Sequence, residues 1–273
     1  MSTGPSQPSV AGDHLMMLHT SERDRRDGLA AWVNEGLTLG EAVVYTEPEG
    51  EPEDRCLLPV LAARGIDVGA AREAGRLVGH PPAEVYRPDG VARIVRRLLS
   101  QGFPAVRLTA ERATALTVLN EEGHLAVETT VDDLCREYPL FVLCQYQRSA
   151  LTGSRLDEVT ALHLLGIRDR QLGTRPHPGG LGLSGEIDLA NEDVLAWVLR
   201  TATATCSTTF TLDLSQVGFL GVGGVRVMEE TTSAFRDRGG LLRAVAPQPA
   251  VAQVFRLLGF DRLPGVAVVG RPG

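Results

Sequence analysis

The chain has 273 residues, 43% of them hydrophobic and 22% charged, which is ordinary globular composition and enough for two domains of usual size. Its formal charge is −7 and all 27 basic residues are arginine. That argues against non-specific nucleic-acid binding and excludes a P-loop lysine, a Schiff-base lysine and a lysine general base.

The elements are taken in chain order. Residues 1–13 (MSTGPSQPSVAGD) read as a small, polar, disordered tail without the basic and apolar regions of a signal peptide. HLMMLHT (14–20) is a short apolar strand, and a helix follows with Ser21 as N-cap and glycines at its end. EAVVYTE (41–47) is a β-branched strand, CLLPVLAARGIDV a helix closed by Gly65, and GRLVGH (75–80) another strand. Residues 90–102 carry a helical stripe at 91, 94, 95, 98 and 99. PAVRLTAE (104–111) is a strand, HLAVETTVDDLCREY a helix, and PLFVLCQY (139–146) a near-continuous apolar strand. Apolar strands alternating with helices predict a parallel α/β sheet over 14–150.

Residues 151–178 read as a linker holding one helix (LDEVTALHLLGIRD) and a Pro/Gly boundary, GTRPHPGG. Residues 179–273 are a smaller α/β unit. LGLSGEIDL is a strand turning at Gly185, and Asn191 caps the helix after it. TFTLDLSQV is a strand, FLGVGGV a glycine turn, and 224–238 a helix striped by Val225, Met228, Thr232 and Phe235. LLRAVAP, PAVAQVFRLLGF and LPGVAVVG complete the unit as strand, helix and strand. No apolar run approaches the length that spans a bilayer.

Few residues suggest chemistry. The cysteines Cys56, Cys135, Cys144 and Cys206 form no CxxC pair, so no zinc framework or disulfide scaffold is expected, and a reducing cytoplasm fits. His14 and His19 lie at odd spacing on one strand and so face opposite sides. Glu111 ends a strand, where open α/β sheets bind ligands. Cys144 reads as a small buried hydrophobe sharing a face with Tyr146. GVGG opens a helix but lacks a following GK[ST], so packing outranks nucleotide binding. No catalytic triad, metal motif or paired-carboxylate spacing stands out, so no enzyme activity and no cofactor are expected.

The smaller unit resembles the STAS domain of anti-sigma-factor antagonists. LSGEIDLAN (183–191), LDLSQVGFLGVGGV (212–225), RGGLLRAVAP and AVAQVFRLLGFDRLPGV carry the likeness. In that family the second helix begins with an Asp-Ser-x-Gly turn. An anti-sigma factor of the GHKL serine-kinase type phosphorylates the serine, and the dephosphorylated form binds that kinase and frees the sigma factor. In this chain the Asp-Ser pair falls on Gly221 and Val222, and Gly224 matches the family glycine. The phosphoacceptor is missing, and Ser184 and Ser215 do not sit at the helix start. The resemblance implies a partner face built from Asp188, Ser215, Gly221, Val222, Gly224 and Met228.

The larger unit resembles MEDS sensory domains through residues 14–47, GFPAVRLTAE (102–111) and LCQY (143–146). Such domains look like RecA/KaiC folds that have lost the nucleotide loop. They are thought to sense small hydrocarbon derivatives. His14, Glu111 and Cys144 match their polar positions, and Tyr146 joins them as a ligand-binding candidate. The combined expectation is a cytoplasmic sensor coupled to a phosphorylation-independent antagonist that switches partners to regulate sigma-dependent transcription. Two other readings stay open: a KaiC-like nucleotide-binding protein, and a non-sensing scaffold whose STAS domain makes a homodimer.

Overall fold

The computed structural model describes residues 12–52, 56–151, 153–204, 206 and 208–270. Most of the tail expected at 1–13 therefore lies outside the described residues. The chain forms two compact units, Met1–Leu151 and Thr152–Gly273.

In the first unit β1 (His14–His19) leads into α1 (Glu22–Thr38), and β2 (Ala42–Thr46) into α2 (Leu57–Ala62) and α3 (Val68–Glu73). Then come β3 (Leu77–His80), α4 (Pro82–Val85), α5 (Gly90–Ser100), β4 (Val106–Glu111) and α6 (Arg112–Ala115). The unit ends with α7 (Glu121–Glu137) and β5 (Leu140–Gln147). The five strands are all parallel, in the order β1-β5-β4-β2-β3.

Alternation along β1 and β5 sets the two faces of this sheet. Met17 and Leu143 join Leu29, Val33, Val43 and Leu61 in a core beneath α1 and α2. His14, Met16, Val142, Cys144 and Tyr146 lie on the other side of their strands, where α7 packs against β1 and β5. Helix α1 begins as the sequence suggests: the Ser21 side chain accepts a hydrogen bond from the Asp24 N–H. Apolar burial along α5 follows the stripe read from the sequence, with Val91, Ile94, Val95 and Leu98 inside.

On the α1 face an ion pair is buried. The Arg107 guanidinium pairs with Glu41, donates to the Trp32 carbonyl at 3.1 Å, and lies 5.0 Å from the Trp32 ring. Gly36 allows this, since a Cβ there would stand 2.5 Å from the Arg107 Cδ.

The second unit runs α8 (Gly153–Leu162), β6 (Ile167–Arg168), β7 (Leu172–His177), β8 (Gly180–Ile187) and α9 (Glu192–Ala204). It continues through β9 (Thr209–Leu220), α10 (Val222–Asp237), β10 (Leu241–Val245), α11 (Pro249–Leu258) and β11 (Val266–Val269). Its strands lie in the order β6-β7-β8-β9-β10-β11. The β7 strand pairs antiparallel with β6 and β8, and the strands from β8 to β11 are parallel to one another.

GTRPHPGG thus differs from its reading as a linker, because its first half is strand β7. Pro176 sits opposite Leu181, and β6 pairs with β7 only at Gly173, so the proline interrupts no ladder on that side among the described residues. Gly179, with φ of 75°, turns the chain back into β8. Asn191 stands at the N-cap position read from the sequence, just before α9, with its carbonyl accepting the Leu195 N–H at 3.0 Å. It is fully buried, and its amide reaches backwards, accepting from the Asp188 N–H at 3.1 Å and donating to the Glu186 carbonyl at 2.9 Å.

Candidate functional site

In the first unit, three polar side chains from three elements meet under α7. His14 opens β1, Cys144 lies in β5, and Glu128 projects inward from the middle of α7. His14 Nε2 is 3.0 Å from Glu128 Oε2 and 3.4 Å from Cys144 Sγ, and that sulfur is 3.3 Å from Glu128 Oε2. All three residues are buried.

The other carboxylate oxygen of Glu128 has its own partners. The Tyr146 hydroxyl donates to Oε1 at 2.8 Å, and His124 Nε2 lies 3.2 Å from it, one helical turn away on α7. The His124 and Tyr146 rings meet edge to face. Asp132, a turn further along α7, places Oδ1 3.6 Å from His14 Nδ1. Burial pushes the Cys144 thiol and the Tyr146 phenol well above their ordinary ranges, and the adjacent Glu128 charge adds to both shifts.

Of the candidates read from the sequence, His14, Cys144 and Tyr146 converge here. Cys144 is buried as expected but is no inert hydrophobe, since it donates to Glu128. Glu111, the last residue of β4, stands beside Gln145 in the register, one position past the Ala110 that pairs with Cys144. It lines the small cavity next to Cys144 and Glu128 without joining the three donors. That cavity measures about 20 Å³, little more than the room one water needs. Glu128 and His124 were missed. Their signal was a His and a Glu at i, i+4 among inward apolar positions such as Val131 and Leu134.

In the second unit, the glycine turn closes β9 and opens α10. Gly221 occupies the N-cap position with no side-chain bond, and no acid stands in the first turn. Gly224 sits tight against β8 and β9, since a Cβ there would lie 2.7 Å from Leu220 Cδ1 and 2.8 Å from Ile187 Cγ2. Gly221 is different: the nearest atom to a Cβ there is the Ile187 carbonyl oxygen at 3.5 Å. Asp188 accepts the Ala190 N–H at 2.8 Å in the β8–α9 loop.

Three members of the expected partner face do not reach the surface as drawn, and one of them is Gly224, buried where α10 meets Leu220 and Ile187. Met228 is fully buried in the α10 stripe, because the helix turns that position onto the sheet. Ser215 lies within β9, half-buried, and its hydroxyl accepts from Arg175 at 3.2 Å. Three apolar side chains near the turn do reach the surface: Leu189 is 86% exposed, Phe219 51% and Val222 50%. They flank the Gly221 N–H···O Ile187 bond, which ties the start of α10 to the end of β8.

The model of the sensory domain named for methanogens, methylotrophs and DcmR (MEDS) matches residues 13–164, more than half of the chain. The chain belongs to the MEDS family. Behind its MEDS domain, the Mlab-type STAS model matches residues 171–269. Two solved structures are similar to the STAS domain of this MEDS protein. One is an anti-sigma factor antagonist from Mycobacterium paratuberculosis, 26% identical over 36% of this chain and 84% of that one, with a TM-score of 0.31. The other is the anti-sigma factor antagonist SpoIIAA in its unphosphorylated form, 18% identical over 36% of this chain and 86% of that one, with a TM-score of 0.30. No curated protein matches the chain. No helix among the described residues is long and apolar enough to cross a membrane.

Proposed function

We propose that this MEDS protein is a cytoplasmic, non-enzymatic regulator whose STAS domain acts as a phosphorylation-independent anti-sigma-factor antagonist. Its partner is an anti-sigma factor of the GHKL serine-kinase type, and partner switching then controls sigma-dependent transcription. The carrying observation is the apolar surface of Leu189, Phe219 and Val222 around the uncapped start of α10. Contiguous exposed apolar residues mark protein contacts. Val222 takes the place of a phosphoacceptor, so the surface keeps the charge state of an unphosphorylated turn. The MEDS domain supplies the input in this reading, with a RecA/KaiC-type fold and a small hydrocarbon-derived ligand.

Pull-down and calorimetry with candidate anti-sigma factors test the docking claim. Binding that Val222→Asp and Phe219→Asp weaken at least tenfold is the expected result. Failure to bind any candidate, or binding unchanged in both variants, sinks it.

Nucleotide binding is the second reading, and one observation weighs against it. Only Thr20 and Ser21 separate β1 from α1, too few for a phosphate-cradling glycine loop, and Glu22 and Asp24 bring negative charge to that helix start. A thermal shift with ATP would restore it: saturation at 100 times Kd adds about 2.7 kcal/mol. The scaffold reading predicts a constant solution mass and no response to any ligand.

A further inference from the structure

Three contacts among His14, Glu128 and Cys144 ask for more than hydrogen bonds supply. A neutral imidazole carries one N–H and a thiol one S–H. With the imidazole proton on Nε2, both protons point at Glu128 Oε2, and the 3.4 Å nitrogen–sulfur edge has none of its own. With the proton on Nδ1, the nitrogen lone pair instead faces the carboxylate oxygen at 3.0 Å. A cation at the centre of the triangle would make all three edges favourable at once.

The dimensions agree. Metal–ligand bonds of about 2.0–2.3 Å at a tetrahedral centre place ligand atoms roughly 3.3–3.6 Å apart. The observed edges of 3.0, 3.3 and 3.4 Å need only a few tenths of an ångström of expansion. The surroundings agree as well. A ligating histidine usually offers its second ring nitrogen to a carboxylate, and Asp132 stands on the Nδ1 side of His14. A ligating carboxylate is usually held through its other oxygen, and Tyr146 and His124 hold Glu128 Oε1.

We propose that His14 Nε2, Glu128 Oε2 and Cys144 Sγ bind one divalent transition-metal ion, with Zn²⁺ the best match to this nitrogen, oxygen and sulfur set. On binding, the thiol gives its proton to solvent, and the imidazole binds through a neutral nitrogen with its proton on Nδ1. A dication, a thiolate and a carboxylate sum to zero charge, which suits a buried site. The neighbouring cavity, lined by Tyr86, Ala110 and Val127, has room for an ion or a water beside the site. Metal binding here does not depend on what the STAS domain docks, so loss of one property leaves the other measurable.

The test uses the full-length chain, stripped with a chelator and titrated with Co²⁺, then with Zn²⁺. One equivalent of Co²⁺ is expected to raise a thiolate-to-cobalt charge-transfer band that Zn²⁺ abolishes. Cys144→Ser removes the band while Cys135→Ser keeps it, and His14→Ala or Glu128→Gln lowers affinity at least tenfold. Absence of the band in the unaltered protein, or a band that survives in folded Cys144→Ser, overturns the proposal. The unaltered protein decides the matter even if a variant fails to fold, which circular dichroism reports. Co²⁺ bound without a thiolate band is adventitious and counts against the site.

Discussion

The Tyr146 hydroxyl donates to Oε1 of Glu128 at 2.8 Å, and this leaves Oε2 facing His14 and Cys144. One helix carboxylate thereby organises side chains from two strands. Tyr146→Phe removes a buried donor and keeps the ring, so Glu128 loses a partner without a cavity forming. A loss of roughly 1–3 kcal/mol is expected in urea unfolding. Tyr146→Phe should also lower metal affinity about 10–100-fold if the ion binds as proposed. Unchanged stability would mean that Glu128 does not rely on Tyr146.

The Arg107–Glu41 pair lies on the α1 face of the MEDS sheet, with both side chains buried. Glu41→Gln leaves the guanidinium with the more exposed Glu35 carboxylate, 3.0 Å from its Nη1, as its remaining counter-charge, and is expected to cost roughly 1–3 kcal/mol. The double replacement Arg107→Met with Glu41→Leu should recover much of that, since two desolvated charges disappear together. Chemical denaturation of the three variants, analysed as a double-mutant cycle, checks both statements.

The glycines of the STAS turn have separable roles. Gly224→Ala pushes a methyl into Leu220 and Ile187, and a net loss of roughly 1 kcal/mol is expected once the gain in helix propensity is set against overpacking. Gly221→Asp meets no such clash and supplies the missing cap, so a gain of a few tenths of a kcal/mol is expected. Thermal unfolding of the two variants should therefore move in opposite directions.

Acid should weaken the STAS domain through Asp213. Burial opposes ionisation of this carboxyl, but the Ser215 N–H, Arg175 and the Ser215 hydroxyl outweigh it and hold its pKa below the ordinary 3.8. A carboxyl with a depressed folded pKa contributes stability that is fully present above its unfolded value and lost as pH falls through the folded one. Stability is thus expected to fall below about pH 3.8, and Asp213→Asn should flatten that acid limb. Equal slopes in the two proteins would assign the acid sensitivity to other groups.

Much of the site was legible along the chain because it follows local periodicity. Period two placed Cys144 and Tyr146 on one face, and the α10 stripe predicted the burial of Val225, Met228 and Phe235. That same stripe argued against Met228 as a contact residue, and the structure buries it. Glu128 escaped notice because a carboxylate on a mostly polar helix looks solvated until a strand histidine is known to lie opposite it. Leu189 and Phe219 escaped because an apolar residue beside a turn looks like core until its neighbours are seen to leave it outside.

The sequence by itself determined the alternation of strands and helices over 14–150, the absence of any lysine chemistry and a valine without a hydroxyl at position 222. Each of these is written residue by residue, in side-chain period or in identity. Only the tertiary structure decided that β7 is a strand rather than a linker, that His14, Glu128 and Cys144 share one triangle, and that Gly224 marks a close approach while Gly221 does not. These depend on contacts between residues far apart in the chain, whose distances follow from how strands register and helices pack, and no local pattern encodes them.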